Sequence, residues 1–153
     1  MNNEDVKSLE ALLSGTDRLV SILSNAAAFI NEALSDVCWV GFYLVNEDGD
    51  LYLGPFQGKP ACINIKNGRG VCGSAASENR TVVVPDVRLF PGYISCDAAA
   101  MSEAVIPLHD KEGKVAAVLD IDSATVGRFS DENSDEIKAL QAVDRFIFSD
   151  GLI

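Results

Sequence analysis

Apolar residues near the start of the chain recur at steps of three and four positions, from Val6 to Leu34. This spacing places them on one side of a helix. The run is interrupted at Gly15, and the following Thr16 is a residue type that often caps a helix N-terminus. The pattern therefore predicts two amphipathic helices within residues 1–34, with Thr16 capping the second.

Six later runs are rich in β-branched and aromatic residues, which favour strands. In chain order they are VCWVGFYLVN, LYLGPF, ACINIK, TVVVPDV, EAVIPL and KVAAVLDID. The first two flank an acidic turn that contains Gly49, and the last two flank a turn that contains Gly113. Each of these pairs predicts a hairpin, and short hairpin connections favour a mainly antiparallel sheet.

Three other segments complete the pattern. The small-residue run GRGVCGSAASEN predicts a short helix entered through a glycine loop. Residues 88–102 follow no clean period and contain Pro91 and Gly92, so we expect a loop or short irregular helix that acts as a lid. Ser130 is predicted to cap a last helix with acidic residues in its first turn. The apolar positions of that helix are Ile137, Leu140, Val143 and Ile147.

Together these elements predict an α+β fold with one domain over residues 1–153. The N-terminal helices occupy residues 1–34, and the sheet, the loop and the C-terminal helix occupy residues 37–148. A chain of 153 residues has the length of one ordinary domain.

Charge and composition narrow the class of partner. The formal net charge of −11 opposes binding to phosphate backbones and to anionic lipid. The first residues lack the features of a signal peptide, and no apolar run is long enough for a membrane span. We therefore expect a cytoplasmic protein without nucleic-acid or membrane partners. Because that compartment is reducing, the four cysteines are expected to form only transient, catalytic bridges.

The cysteines differ in their surroundings. Cys38 lies in a predicted strand, where a small buried thiol is inert. Cys72 stands at the start of the short helix, where exposed N–H groups can lower a thiol's pKa, so packing and chemistry explain it equally well. Cys96 lies in the irregular loop beside Asp97, where core packing is a weak explanation. Local surroundings therefore favour Cys96 for chemistry.

Three acidic residues flank the last hairpin. Glu103 opens one strand, and Asp120 and Asp122 close the other, two residues apart and thus on one face. Pairing of the strands would bring the three together, where crowding raises the pKa of at least one carboxyl group. Such a group can donate a proton while a remaining charge holds an ammonium. Solvated strand ends are the alternative.

Two other residue types bear on the site. Trp39 and Tyr43 share one face of the first predicted strand, where aromatic residues either pack in the core or wall a small apolar pocket. The only histidine, His109, lies at the turn end of the last hairpin. Because carboxylates and thiolates prefer different ions, we predict no metal site.

These motifs together resemble the free methionine-(R)-sulfoxide reductases, a single-domain branch of the GAF fold. The resemblance covers nearly the whole chain, and Cys62, Cys72 and Cys96 recur at the family's spacings. A generic GAF domain has no reason to keep all three. The matching motifs are WVGFYL, LGPFQGKPAC, GRGVCG, VVPDV, FPG, SCD, SE and VLDIDS, in the family's order.

The resemblance implies thiol-dependent reduction of free methionine-(R)-sulfoxide to methionine. Cys96 would attack the sulfoxide sulfur and become a sulfenic acid, and Cys62 would condense with it to a disulfide. Thioredoxin, which receives its electrons from NADPH, would reduce that disulfide. The resemblance implies no bound cofactor. Attack by Cys72, with Cys96 as the resolving thiol, is the alternative.

The resemblance also assigns the substrate site. The three acids Glu103, Asp120 and Asp122 would line it, the aromatic pair would wall a pocket for the S-methyl group, and the loop would supply backbone N–H groups. The implied binding residues besides the acids are Trp39, Tyr43, Tyr93, Ile94 and Ser95. The family usually has His at position 93 and Ala at position 95, so no histidine tunes the nucleophile here, although Tyr93 can donate a hydrogen bond.

A ligand-sensing GAF module without turnover is the competing interpretation. Nothing in the chain resembles the cyclic-nucleotide signature of sensor GAF domains, which favours the enzyme. By analogy with other GAF proteins, and because the N-terminal helices offer an apolar face, we expect a homodimer.

Overall fold

Residues 1–148 are described by the computed structural model. The strands are β1 (Trp39–Val45), β2 (Leu51–Gln57), β3 (Asn64–Ile65), β4 (Val82–Val84), β5 (Ser102–His109) and β6 (Val115–Ser123). They form one sheet in the order β3-β2-β1-β6-β5-β4, and every neighbouring pair is antiparallel. The predicted α+β class, both hairpins and the antiparallel sheet are confirmed.

Five helices accompany the sheet in the described part of the chain. They are α1 (Asn3–Leu13), α2 (Leu19–Ala33), α3 (Gly70–Glu78), α4 (Asp135–Ala142) and α5 (Asp144–Ile147), with a 3-10 helix at Val87–Leu89. None of those helices combines the length and apolar content that a bilayer span requires.

Two predicted caps are wrong. Helix α2 begins after Arg18 rather than Thr16 and has no side-chain cap, because the chain turns at Gly15, which has a positive φ, and stays non-helical through Arg18. Helix α4 is capped by Ser134, whose hydroxyl accepts a hydrogen bond from the Ile137 N–H, and not by Ser130. Asp131 instead closes a turn before the helix by accepting from the Asn133 N–H.

The sheet separates two apolar clusters. On β6, Leu119 and Ile121 point to the larger cluster, which lies under α1, α2 and α4. Val118 points to the opposite face, where α3 and the 87–101 segment pack. Because side chains alternate along a strand, Asp120 and Asp122 share this second face with Val118. The sheet therefore directs its acidic residues away from the main core.

The third strand is much shorter than its sequence pattern predicts. Only Asn64–Ile65 pairs with β2, and Cys62 lies before it in an irregular segment that follows Pro60. Cys62 is therefore carried by a connection and not by a strand.

Candidate active site

Three carboxyl groups converge on the second face of the sheet. Glu103 lies directly opposite Asp122 in the β5–β6 register, and Asp120 follows two residues away on the same face. The residues are only 5%, 7% and 5% exposed, respectively. The predicted convergence is confirmed.

Burial changes the protonation of this cluster. Desolvation, then the charge of Asp120, raises the pKa of Glu103 and of Asp122 well above their ordinary values. Burial also raises the pKa of Asp120, although hydrogen bonds within the cluster oppose that rise. One oxygen of Asp120 and one of Asp122 have no hydrogen-bond partner among residues 1–148. The cluster can thus supply both a proton and an unpaired acceptor.

Cys72, on helix α3, lies next to the carboxyl groups. Its Sγ lies 3.9 Å from Glu103 Oε1, and its side chain is buried. Burial, followed by the charges of Asp120 and Glu103, raises the pKa of the Cys72 thiol well above its ordinary value. The sequence left open whether the start of the helix lowers this pKa; in the structure, desolvation and neighbouring carboxylates outweigh the N–H groups.

Cys62 and Cys96 form a disulfide with a Cα–Cα distance of 5.2 Å. Both residues are partly exposed, and Cys96 also lines the pocket described below. The disulfide therefore joins the predicted lid to the segment before β3.

The two aromatic residues of β1 hold the segment that carries Cys62. The Tyr43 hydroxyl donates to the Cys62 carbonyl oxygen at 3.0 Å, and Trp39 Nε1 donates to the Lys59 carbonyl oxygen at 3.1 Å. The two rings stack with centroids 5.9 Å apart. Trp39 stacks in turn on Phe56 at 5.2 Å. These contacts fix the position of one half of the disulfide.

A narrow pocket lies between the carboxyl cluster and the lid. Its free space is about 30 Å³, which holds no more than about two water molecules. Of the residues implied in binding, Trp39 lies behind Tyr43 and Ser95 points to solvent, and neither lines the pocket of the described chain. Those that do line it are Tyr43, Tyr93, Ile94, Cys72, Cys96, Glu103, Asp120 and Asp122.

Two charged residues of the pocket were not assigned a role from the sequence. Arg69, at the N-terminus of α3, lines the pocket, and Asp97 lines it beside Cys96. Asp97 also accepts a hydrogen bond from the Cys38 thiol at 3.9 Å. The GRG motif and the SCD motif are the only sequence signals that mark these positions.

Cys38 is half-buried and lies just before β1, not within a strand as predicted. Burial, with smaller contributions from Asp122 and Asp97, raises the pKa of its thiol to about 11. Few Cys38 thiolates exist near neutral pH, so this cysteine is a poor nucleophile.

A metal ion would meet a mixed set of ligands here. One atom each from Cys72, Glu103 and Asp120 lie within 4.8 Å of one another. Hard cations favour oxygen ligands alone, whereas soft ions favour several thiolates. The set fits neither preference. A protonated carboxyl group of the cluster favours proton transfer, and a carboxylate that stays charged favours ammonium binding.

Comparisons with a family model and with known proteins agree on one family. A model described as GAF domain matches residues 18–147. The free methionine-R-sulfoxide reductase of Escherichia coli is 46% identical over 136 residues, which are 89% of this chain and 81% of that protein.

Solved structures agree with this match. The structure of fRMsr of Staphylococcus aureus in its reduced form has a TM-score of 0.87 and 43% identity, and the match covers 97% of this chain and 94% of that chain. The free methionine-R-sulfoxide reductase from Neisseria meningitidis, solved in complex with its substrate, has a TM-score of 0.87 and 38% identity. That match covers 94% of this chain and 84% of that chain. The chain therefore belongs to the GAF domain family and, within it, to the free methionine-R-sulfoxide reductases.

Proposed function

We propose that this chain reduces free methionine-(R)-sulfoxide to methionine. The observation that carries the proposal is the Cys62–Cys96 disulfide beside a pocket with three buried, protonatable carboxyl groups. The relatives named above as reductases support the same substrate.

In the first step, the Cys96 thiolate attacks the sulfoxide sulfur. The sulfur–oxygen bond breaks, the oxygen passes to Cys96 as a sulfenic acid, and methionine leaves. The substrate sulfur gains two electrons and the Cys96 sulfur loses two. Glu103, whose pKa is raised well above its ordinary value, protonates the departing oxygen, and it regains the proton that the Cys96 thiol released on forming the thiolate.

The surroundings of the thiols support Cys96 as the attacking group. Cys72 is enclosed by carboxylates that disfavour its thiolate, whereas Cys96 is partly exposed and lines the pocket. The Cys62 thiol then condenses with the Cys96 sulfenic acid, which forms the disulfide and releases water. Cys72 serves as a buried neighbour of Glu103.

An external dithiol closes the cycle by exchange with the disulfide. We propose thioredoxin in this role, with NADPH as the electron source, no bound cofactor, and the cytoplasm as the compartment. A homodimer through the N-terminal helices is supported by two exposed apolar side chains there, Leu12 and Val20.

The test follows NADPH oxidation with thioredoxin, thioredoxin reductase and free methionine-(R)-sulfoxide. Wild type should turn over, and Cys96→Ser should not. Cys62→Ala should release about one methionine per site and then stop, because its sulfenic acid has no partner. Absence of turnover by wild type would contradict the enzymatic proposal and favour a ligand-sensing module. Equal turnover by wild type and Cys96→Ser would exclude Cys96 as the attacking thiol.

A further inference from the structure

One side chain in the pocket has a charge opposite to the rest. Four acids line the pocket, namely Asp97, Glu103, Asp120 and Asp122. Among the described lining residues, Arg69 alone is a cation. A ligand that fits this lining needs a positive group near the acids and a negative group near the guanidinium.

The Arg69 side chain is free to bind a ligand. It is exposed, and within residues 1–148 no hydrogen bond or ion pair joins its guanidinium to another group. Its backbone is nevertheless fixed, because its N–H donates to the Lys66 carbonyl oxygen and its own carbonyl oxygen accepts from the Gly73 N–H. The residue is thus held at the pocket edge with its charge unpaired.

The adjoining helix strengthens a preference for anions at this edge. Arg69 is the N-cap residue of α3, and no side chain caps that nine-residue helix. Gly70 and Val71, in its first turn, line the same pocket. Free N–H groups and the helix dipole favour a negative group there. The unpartnered oxygens of Asp120 and Asp122, which line the same pocket, independently favour a hydrogen-bond donor such as an ammonium.

We propose that Arg69 binds the α-carboxylate of the substrate and thereby selects the free amino acid. This inference rests on the proposed function. A free amino acid carries both an ammonium, which the acids favour, and a carboxylate, which Arg69 favours. Methionine sulfoxide within a peptide lacks that carboxylate, and its amide leaves the guanidinium without an anionic partner. The pairing forms in the reduced enzyme, because the disulfide form has too little free space.

The test compares two substrates and three variants. The substrates are L-methionine-(R)-sulfoxide and its carboxamide, which keeps the ammonium but lacks the carboxylate. With the free acid, Arg69→Met should raise KM about ten- to a hundredfold with kcat little changed, because a charge-assisted, two-pronged contact is lost. The KM of Arg69→Lys should lie between those of wild type and Arg69→Met, because lysine keeps the charge but cannot donate two parallel hydrogen bonds to one carboxylate.

With the carboxamide, wild type and Arg69→Met should have the same KM. The control is Lys66→Met, which removes a nearby exposed cation that pairs with Asp50 outside the pocket. Its KM for the free acid should equal that of wild type.

Two results overturn the inference while leaving the proposed function intact. Wild type would reduce the free acid, but Arg69→Met would change KM equally for both substrates, or for neither. Absence of turnover by wild type would instead contradict the proposed function itself. As a second readout, calorimetry should show that Arg69→Met in a Cys96→Ser background weakens binding of L-methionine but not of L-methioninamide.

Discussion

Glu103 and Asp122 face each other across β5 and β6, and the burial of both keeps them protonated well above the pH at which such groups ordinarily ionise. Glu103 additionally contacts the Cys72 thiol. If one of these acids donates the proton in the reaction, its rate should depend on pH.

We expect kcat to fall as pH rises through the raised pKa of Glu103, because the proton donor is then lost. Glu103→Gln should lower kcat by about a hundredfold or more and abolish this alkaline fall, since the amide does not titrate. The measurement is a pH–rate profile of each variant. Glu112→Gln, an exposed residue in the β5–β6 turn, is the matched control and should behave as wild type. A wild-type profile in Glu103→Gln would exclude this residue as the acid.

Because of the same burial, the cluster should lower the free energy of unfolding at high pH. Because the pKa of Glu103 in the folded protein exceeds its ordinary 4.5, the folded state holds more protons than the unfolded state between those values. The free energy of unfolding therefore falls as pH rises through that interval, by about 1.4 kcal/mol per pH unit for one such group.

Glu103→Gln removes this contribution. Its unfolding free energy should match that of wild type near pH 4 and exceed it by at least about 1 kcal/mol at pH 8. Urea denaturation of the reduced proteins at both pH values measures the difference. A variant that is less stable than wild type at pH 8 would contradict the raised pKa.

The four thiols should differ sharply in reactivity once the disulfide is reduced. With a pKa of about 11, only about one Cys38 in a thousand is a thiolate at pH 8. Cys72 is suppressed by burial and carboxylates. Iodoacetamide should therefore label Cys62 and Cys96 first and leave Cys38 and Cys72 unmodified until the protein is unfolded.

Peptide mass spectrometry over a labelling time course resolves the four sites. Protein unfolded in urea is the control, in which all four should react at similar rates. Labelling of Cys72 as quickly as Cys96 in the folded protein would instead favour Cys72 as the attacking thiol.

The small volume of the pocket predicts whether disulfide reduction or substrate binding comes first. With the disulfide in place, a space of about 30 Å³ does not accommodate a methionine side chain, so reduction must precede substrate binding. Calorimetry should detect L-methionine binding to reduced Cys96→Ser and none to oxidised wild type. Equal affinities for the two proteins would show that the lid admits ligand while bonded to Cys62.

Local patterns were sufficient to predict much of the fold and part of the site. The alternation that places Asp120 and Asp122 on one face, and the turn that pairs them with Glu103, act over short stretches of chain. The Tyr43 contact with Cys62 and the Cys38 contact with Asp97 depend instead on how distant segments pack. The cap at Ser134 was missed because Ser130 also precedes acidic residues, and only tertiary packing selects between them.

The division of the sheet into two faces has an evolutionary consequence. Along β6, Leu119 and Ile121 belong to the main core, while Asp120 and Asp122 belong to the pocket. Single substitutions at the two acids change no side chain of the main core. Natural selection can therefore alter what this pocket recognises one residue at a time, while neighbouring positions on the same strand continue to preserve the fold.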